Sequence, residues 1–186
     1  TQDSAATALL INQGATVPSL YNSGTIRGTL SSQGEGEAYG IYDLSGSLTS
    51  ITNTGYISAV GSSTDIVQAI NLAAATGDVT ITQFMNEDDI ATREDIEEDL
   101  DEGEVDSTVY TSITGNIVTG SGNDTLSANA GQIIGNSFFN DGNDRLLLSG
   151  EAYYKGKVYF GDGGALAALS GEAEFVGTID FADLAG

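Results

Sequence analysis

Residues 142–181 read GNDRLLLSGEAYYKGKVYFGDGGALAALSGEAEFVGTIDF, and the second half of this stretch nearly repeats the first. A shift of twenty-one positions (163 − 142) lays Gly142, the run Leu148-Ser149-Gly150-Glu151-Ala152, Tyr154, Gly156, Val158 and Phe160 on their counterparts. Those counterparts are Gly163, Leu169-Ser170-Gly171-Glu172-Ala173, Phe175, Gly177, Ile179 and Phe181. A shift of twenty the other way (142 − 122) lays Gly142-Asn143-Asp144 and Leu146 on Gly122-Asn123-Asp124 and Leu126. Three successive units thus share one template, a Gly-Asn-Asp turn (Gly163-Gly164-Ala165 in the third), an alternating strand, a Ser-Gly break and a second alternating strand. A unit this short cannot bury its own apolar face, so its copies must stack.

Alternation fixes the buried side. Ala152, Tyr154, Val158 and Phe160 are expected to stack on Ala173, Phe175, Ile179 and Phe181. Tyr153, Lys155, Lys157, Tyr159 and their counterparts then point outward, as period two with one apolar face requires of a half-buried strand. In-register recurrence favours an all-β, right-handed parallel β-helix (a solenoid) over a β-sandwich, which gives no reason for residue types to recur at a fixed offset.

The chain of 186 residues suits one domain over 1–186. Its many glycines and single proline (Pro18) describe strands and tight turns, and an apolar share of 40% argues against disorder. Cysteine is absent, which excludes thiol chemistry and is compatible with export. The net charge of −22 repels phosphates and anionic membranes, so nucleic acid is excluded as a partner while divalent cations are attracted. No apolar run approaches the roughly 18 residues of a membrane helix, so no transmembrane segment is expected in this chain.

Toward the start, Asn12-Gln13-Gly14, Asn22-Ser23-Gly24 and Asn53-Thr54-Gly55 mark a recurrent turn between strands, since Asn and Gly tolerate left-handed backbone. A looser repeat near thirty residues relates Leu48-Thr49-Ser50-Ile51-Thr52 to Val79-Thr80-Ile81-Thr82. The stretches AYGIYDLSG (38–46), TSITNTGYISA (49–59), GSGNDTL (120–126), DGNDRLLLSG (141–150) and GKVYFGDG (156–163) resemble the passenger domains of bacterial autotransporters, the type V secretion family. The resemblance covers most of the chain outside residues 84–110. It implies a right-handed β-helix delivered through the outer membrane by a C-terminal barrel, hence a place outside a Gram-negative cell or on its outer-membrane surface. The chain departs from that pattern by ending at Leu184-Ala185-Gly186 without barrel strands and by being short, which fits a fragment, a processed passenger or a free-standing relative.

Between 84 and 110 the pattern stops. Residues 87–106 hold twelve acids against Arg93 alone. Thr92 followed by Asp95 resembles a capping box, and Ile96 with Leu100 gives a thin apolar edge, so a short helix is expected over 92–101 inside a solvated acidic insertion. Asp88, Asp89, Asp95, Asp99, Asp101 and Glu102 are the alternative calcium ligands of this segment, since hard cations prefer several carboxylate oxygens; an EF-hand register fails because Glu104 stands where that loop needs Gly. At the repeated turns, Asn123 and Asn143 are read as a hydrogen-bonded ladder, with Asp124 and Asp144 capping neighbouring amides. Calcium is the competing reading there.

No His is present, which excludes a Ser-His-Asp protease, and the lack of both His and Cys disfavours zinc. Nothing singles out a carboxylate pair for glycoside hydrolysis. The chain is therefore expected to be no enzyme: a cell-surface structural or adhesive rod that forms a homo-oligomer or meets a cell-surface or matrix partner. Alternatives are a self-assembling filament or surface-layer subunit, aided by calcium, and, third, a carbohydrate-active enzyme.

Overall fold

The alternating stretches become short strands because each turn residue between them ends one run and starts the next. The structure, a computed structural model, describes residues 4–30, 36–99 and 108–181. In chain order it contains β1 (Ser4–Ile11), β2 (Ser19–Asn22), β3 (Thr25–Thr29), β4 (Gly36–Asp43), β5 (Ser50–Asn53), β6 (Tyr56–Val60), β7 (Ile66–Asn71) and β8 (Thr80–Gln83). After the helix α1 (Glu87–Asp99) come β9 (Ser112–Thr114), β10 (Asn116–Val118), β11 (Thr125–Ala128), β12 (Gln132–Ile134) and β13 (Ser137–Phe139). Four strands follow: β14 (Gly142–Leu148), β15 (Tyr153–Phe160), β16 (Gly163–Leu169) and β17 (Glu174–Asp180).

All strand pairing among the described residues is parallel, in sheets that nearly close around one core. One six-stranded sheet stacks β2, β5, β8, β11, β14 and β16. An eleven-stranded sheet holds two further columns: β1, β4, β7, β10 and β13 on one side, β3, β6, β9 and β12 on the other. They meet in β15, whose first half continues β12 and whose second half continues β13. β17 then pairs along β15. The chain visits the three columns in the same order on every circuit.

Each column presents one line of inward side chains. In the first, Leu9, Ile41, Ile70, Ile117, Ser137, Val158 and Ile179 follow one another in register. The second runs Leu20, Ile51, Ile81, Leu126, Leu146, Ala167, and the third Ile26, Ile57, Ile113, Ile133, Tyr154, Phe175. β-Branched Ile suits this pleated interior, and its burial drives the stacking. The lone hydroxyl in the first line, Ser137, is satisfied by Tyr154 across the core, whose Oη donates to Ser137 Oγ at 2.9 Å.

Recurrent glycine marks the corner between the two halves of β15. Gly115, Gly135, Gly156 and Gly177 stack there with φ of 120°, 143°, 155° and 156°. A Cβ on Gly156 would lie 1.9 Å from the Gly135 carbonyl oxygen, and one on Gly177 1.7 Å from that of Gly156. The missing side chain is where the previous rung sits, which explains why the repeat keeps Gly at this place.

The inward set of the penultimate repeat is buried, with Ala152, Tyr154, Val158 and Phe160 at 2% exposure or less. The last set differs from the expectation of equal stacking: Ala173, Phe175 and Ile179 are half-buried and Phe181 is 57% exposed. The strands β16 and β17 have a neighbour on one side only among the described residues. The helix also differs from 92–101. It starts earlier, at Glu87, because Asn86 caps it: Asn86 Oδ1 accepts the Asp89 amide at 2.8 Å, and Glu87, Asp88 and Asp89 fill the first turn where the helix dipole favours acids. Thr92 lies inside the helix, its hydroxyl donating to the Asp88 carbonyl at 2.8 Å.

Phe160 sits in a stack between Phe139, at 5.1 Å, and Phe181, at 5.3 Å between centroids. Phe160→Ala should cost about 3–5 kcal/mol in denaturant unfolding by opening a cavity between rungs. Phe181→Ala, at the exposed end of that stack, should cost about 1 kcal/mol or less. Equal losses would show that Phe181 is covered in solution.

Candidate functional site

Stacking sets where the polar side chains go, because a residue type repeated in register meets its own kind on the next rung. Inside the corner after β2, β5 and β8, Asn22, Asn53 and Gln83 form a buried amide ladder. Asn22 Nδ2 donates to Asn53 Oδ1 at 2.8 Å, and Asn53 Nδ2 to Gln83 Oε1 at 3.1 Å. Gln83 Nε2 passes the series to the Ala130 and Gln132 carbonyls at 3.2 and 3.3 Å. Asn53 also closes its own turn, accepting the Gly55 amide and donating to the Gly55 carbonyl. Above Gln83 the position passes to Ala128, and the ladder ends.

A second ladder runs along the outer edge of the β8–β11–β14–β16 sheet. Asp78 Oδ1 accepts the Asn123 amide and its side-chain Nδ2, at 2.8 and 3.1 Å. Asn123 Oδ1 accepts the same two groups of Asn143 at 2.9 and 3.0 Å, and Asn143 Oδ1 accepts the Gly164 amide at 3.1 Å. Gly164 replaces Asn without breaking the series, since the last rung needs only a donor.

The neighbouring carboxylates point the other way along the stack. Asp124 Oδ1 accepts the Val79 amide at 2.7 Å, and Asp144 Oδ1 accepts the Asp124 amide at 2.8 Å. Both side chains are buried, and Asp124 Oδ2 has no hydrogen-bond partner. The Thr119 hydroxyl nearby is directed at the Phe138 carbonyl, 3.5 Å away, although its proximity still eases the charge on Asp124. Burial pushes both carboxyls up. For Asp144 burial takes the value to about 6, opposed by the Asp124 amide and reinforced by the charges of Asp124, Asp141 and Asp78. Asp124 is raised first by burial and further by Asp78, against the lowering effect of Thr119 and of the Val79 amide.

A concavity lies where α1 leans on the turns between rungs. It is a cleft of about 280 Å³ lined by Met85, Ile90, Arg93, Glu94, Asn129, Ala130, Gly150 and Glu151. Arg93 bridges it with both guanidinium arms on Glu151, Nη2 donating to Oε1 at 2.7 Å. A second recess of about 220 Å³ continues past this ion pair to Tyr110, Gln132 and Tyr153. Apolar Met85, Ile90 and Ala130 line the first cleft beside charged Arg93, Glu94 and Glu151.

Of the acidic residues singled out above, Asp88, Asp89 and Asp95 lie on α1, and Asp88 and Asp95 are exposed. The side chain of Asp99, and Asp101 and Glu102 altogether, lie outside the described residues. Among the described residues no three His, Cys, Asp or Glu side chains gather as a metal ion would need. The amide ladder Asn22–Asn53–Gln83 and the Arg93–Glu151 clamp were not anticipated from the sequence. The first had a signal, since Asn22 and Asn53 head the same Asn-x-Gly turn 31 residues apart and Gln83 follows after 30. The second joins residues 58 apart with no shared motif.

No protein-family model, no curated protein and no solved structure matches this chain.

The stacked carboxylates give the fold a pH dependence of definite sign. Asp144 is raised in the folded chain to about 6, so its favourable contribution is fully present below its ordinary unfolded value and is lost as pH rises through 6. Thermal melts from pH 7.5 down to 4.5 should therefore show a rising melting temperature, by an amount on the order of 1–2 kcal/mol of stability after screening. Asp144→Asn should be more stable than the parent at pH 7.5 and lose that advantage near pH 4.5. A parent that destabilises steadily over this range would contradict the burial of the pair.

Proposed function

We propose that the chain is a right-handed parallel β-helix that serves as a non-enzymatic structural or adhesive rod outside a Gram-negative cell, similar in kind to an autotransporter passenger. The observation that supports it is the register itself: three columns of parallel strands stack in order, and in the six-stranded sheet the inward line Leu20, Ile51, Ile81, Leu126, Leu146, Ala167 repeats at spacings of 31, 30, 45, 20 and 21 residues. A strand, crossover and parallel strand are right-handed in nearly all known cases, which sets the hand of the proposed helix. Its walls are exposed on the outside, so corners and excursions are what the rod offers to partners. The helix α1 and its cleft are the largest such excursion, and no helix among the described residues is long and apolar enough to cross a membrane.

On this reading the acidic excursion is an appendage. Deleting residues 88–104 should leave the β-sheet circular-dichroism spectrum intact and the melting temperature close to the parent, because the ion pair lost with it is exposed and such pairs contribute about 0–1 kcal/mol. Loss of folding would mean that this segment closes the core. Its carboxylates are also proposed as weak sinks for calcium: millimolar calcium should raise the melting temperature of the parent more than ionic-strength-matched sodium chloride, and should not do so for the deletion. Surface placement is tested by immunolabelling intact producer cells. Staining only after permeabilisation would contradict it.

A further inference from the structure

On three successive rungs of the six-stranded sheet the outward side carries no charged side chain, in a chain whose net charge is −22. Ile51, Ile81 and Leu126 point inward and are buried, so the residues flanking each of them face outward. These are Ser50 and Thr52 on β5, Thr80 and Thr82 on β8, and Thr125 and Ser127 on β11. Pairing across the three rungs is one for one, Ser50 on Thr80 on Thr125 and Thr52 on Thr82 on Ser127, with no shift of register. Two straight rows of hydroxyls result, bounded by Tyr21 on β2 and by Arg145 and Leu147 on β14. Among the described residues none of the six hydroxyls bonds to protein, and none is a buried oxygen lacking a partner, so all six are spent on solvent. We propose that this lattice is a binding site for ice, its hydroxyls and methyls holding a first layer of water in positions that a growing crystal adopts.

Two features select an ordered water lattice over a discrete ligand. The first is spacing. Rungs lie about 4.8 Å apart and alternate residues of one strand about 6.6 Å apart. The rows therefore repeat in two directions, near the two oxygen repeats on a prism face of hexagonal ice, and over three rungs the mismatch stays below the length of a hydrogen bond. Four of the six residues are Thr, whose branched side chain is stiff about χ1, so the array is set before water meets it. The second is chemistry. Sites for sugars and peptides use aromatic or charged anchors, and these three rungs carry no ring, no charge and no long apolar side chain. A periodic array gains instead from many equal weak contacts made in phase, which only a periodic partner supplies. The acidic excursion leaves the face clear: its cleft is lined by Asn129, Ala130, Gly150 and Glu151, in the turns that follow β11 and β14, and Thr80 is exposed.

This inference goes beyond the proposed function and rests on the register alone, so a chain found at the cell surface but shut out of ice overturns it without touching that reading. The experiment freezes a dilute solution of the full chain slowly onto a chilled probe. It measures the protein taken into the ice, beside serum albumin as a reference that growing ice excludes. Four chains are compared, with circular dichroism confirming equal folding: the parent, Thr80→Asp with a charge on the middle rung, Ser127→Tyr with a ring over the second row, and Lys155→Asp. Lys155 is exposed on β15, on another wall, and its variant controls for added negative charge. The parent and Lys155→Asp should enter the ice several-fold more than albumin, and both array variants should fall to the albumin level. A parent excluded like albumin, either array variant entering as the parent does, or a Lys155→Asp variant lost along with them would overturn the proposal.

Discussion

Everything in this fold depends on parallel backbone pairing at a rung spacing of about 4.8 Å. That distance is close to the thickness of an aliphatic or aromatic side chain, so a residue type repeated in register packs against its own kind with no space left over. Ile51 on Ile81, Phe139 on Phe160 and Tyr154 on Phe175 are the same solution in three places. Corners obey the constraint in reverse: at Gly156 a neighbouring carbonyl occupies the site of the side chain, and only glycine remains.

The constraint treats amides and carboxylates differently. An amide carries both donor and acceptor, so Asn22, Asn53 and Gln83 satisfy one another deep in the wall and continue as long as the column stays polar. A carboxylate only accepts. Asp124 and Asp144 must therefore borrow backbone amides from the rung before, one acceptor is left over, and burial raises both groups. The fold tolerates this pair at a cost that grows as pH rises and vanishes as the carboxyls take up protons. Asn123 and Asn143, on the rim, carry no such cost.

Much of this was legible in residues 142–181, because a repeat in sequence is a repeat in space when strands stack in parallel. Pairing of Tyr154 with Phe175 and of Val158 with Ile179 could be read directly. The earlier circuits, at spacings near thirty, gave their register only loosely, since excursions of unequal length hide the alignment. The helix began five residues before Thr92 because Asn86, a cap standing directly between Met85 and the first acid, Glu87, outcompeted it. Half-burial at Phe181 was invisible for a different reason: sequence shows that a side chain faces inward but not whether another rung covers it. The Arg93–Glu151 contact depends on where an excursion falls back on the wall, which no local pattern encodes.

In the proposed function the wall is scaffold and the corners and excursions are contact surfaces, and both depend on the register of the columns. The chain contains no cysteine, so engineered pairs can report that register without background. Ser58 and Thr114 face outward on β6 and β9 as direct partners, across the whole acidic excursion, whereas Ser112 partners Tyr56. Under mild oxidation Ser58→Cys/Thr114→Cys should close an intramolecular disulfide rapidly, since direct partners fall within the range of about 4.4–6.8 Å between Cα atoms that such a bond spans. Ser58→Cys/Ser112→Cys should stay largely reduced. The opposite order of rates, or two unreactive pairs, would contradict the stacked columns on which the account is built.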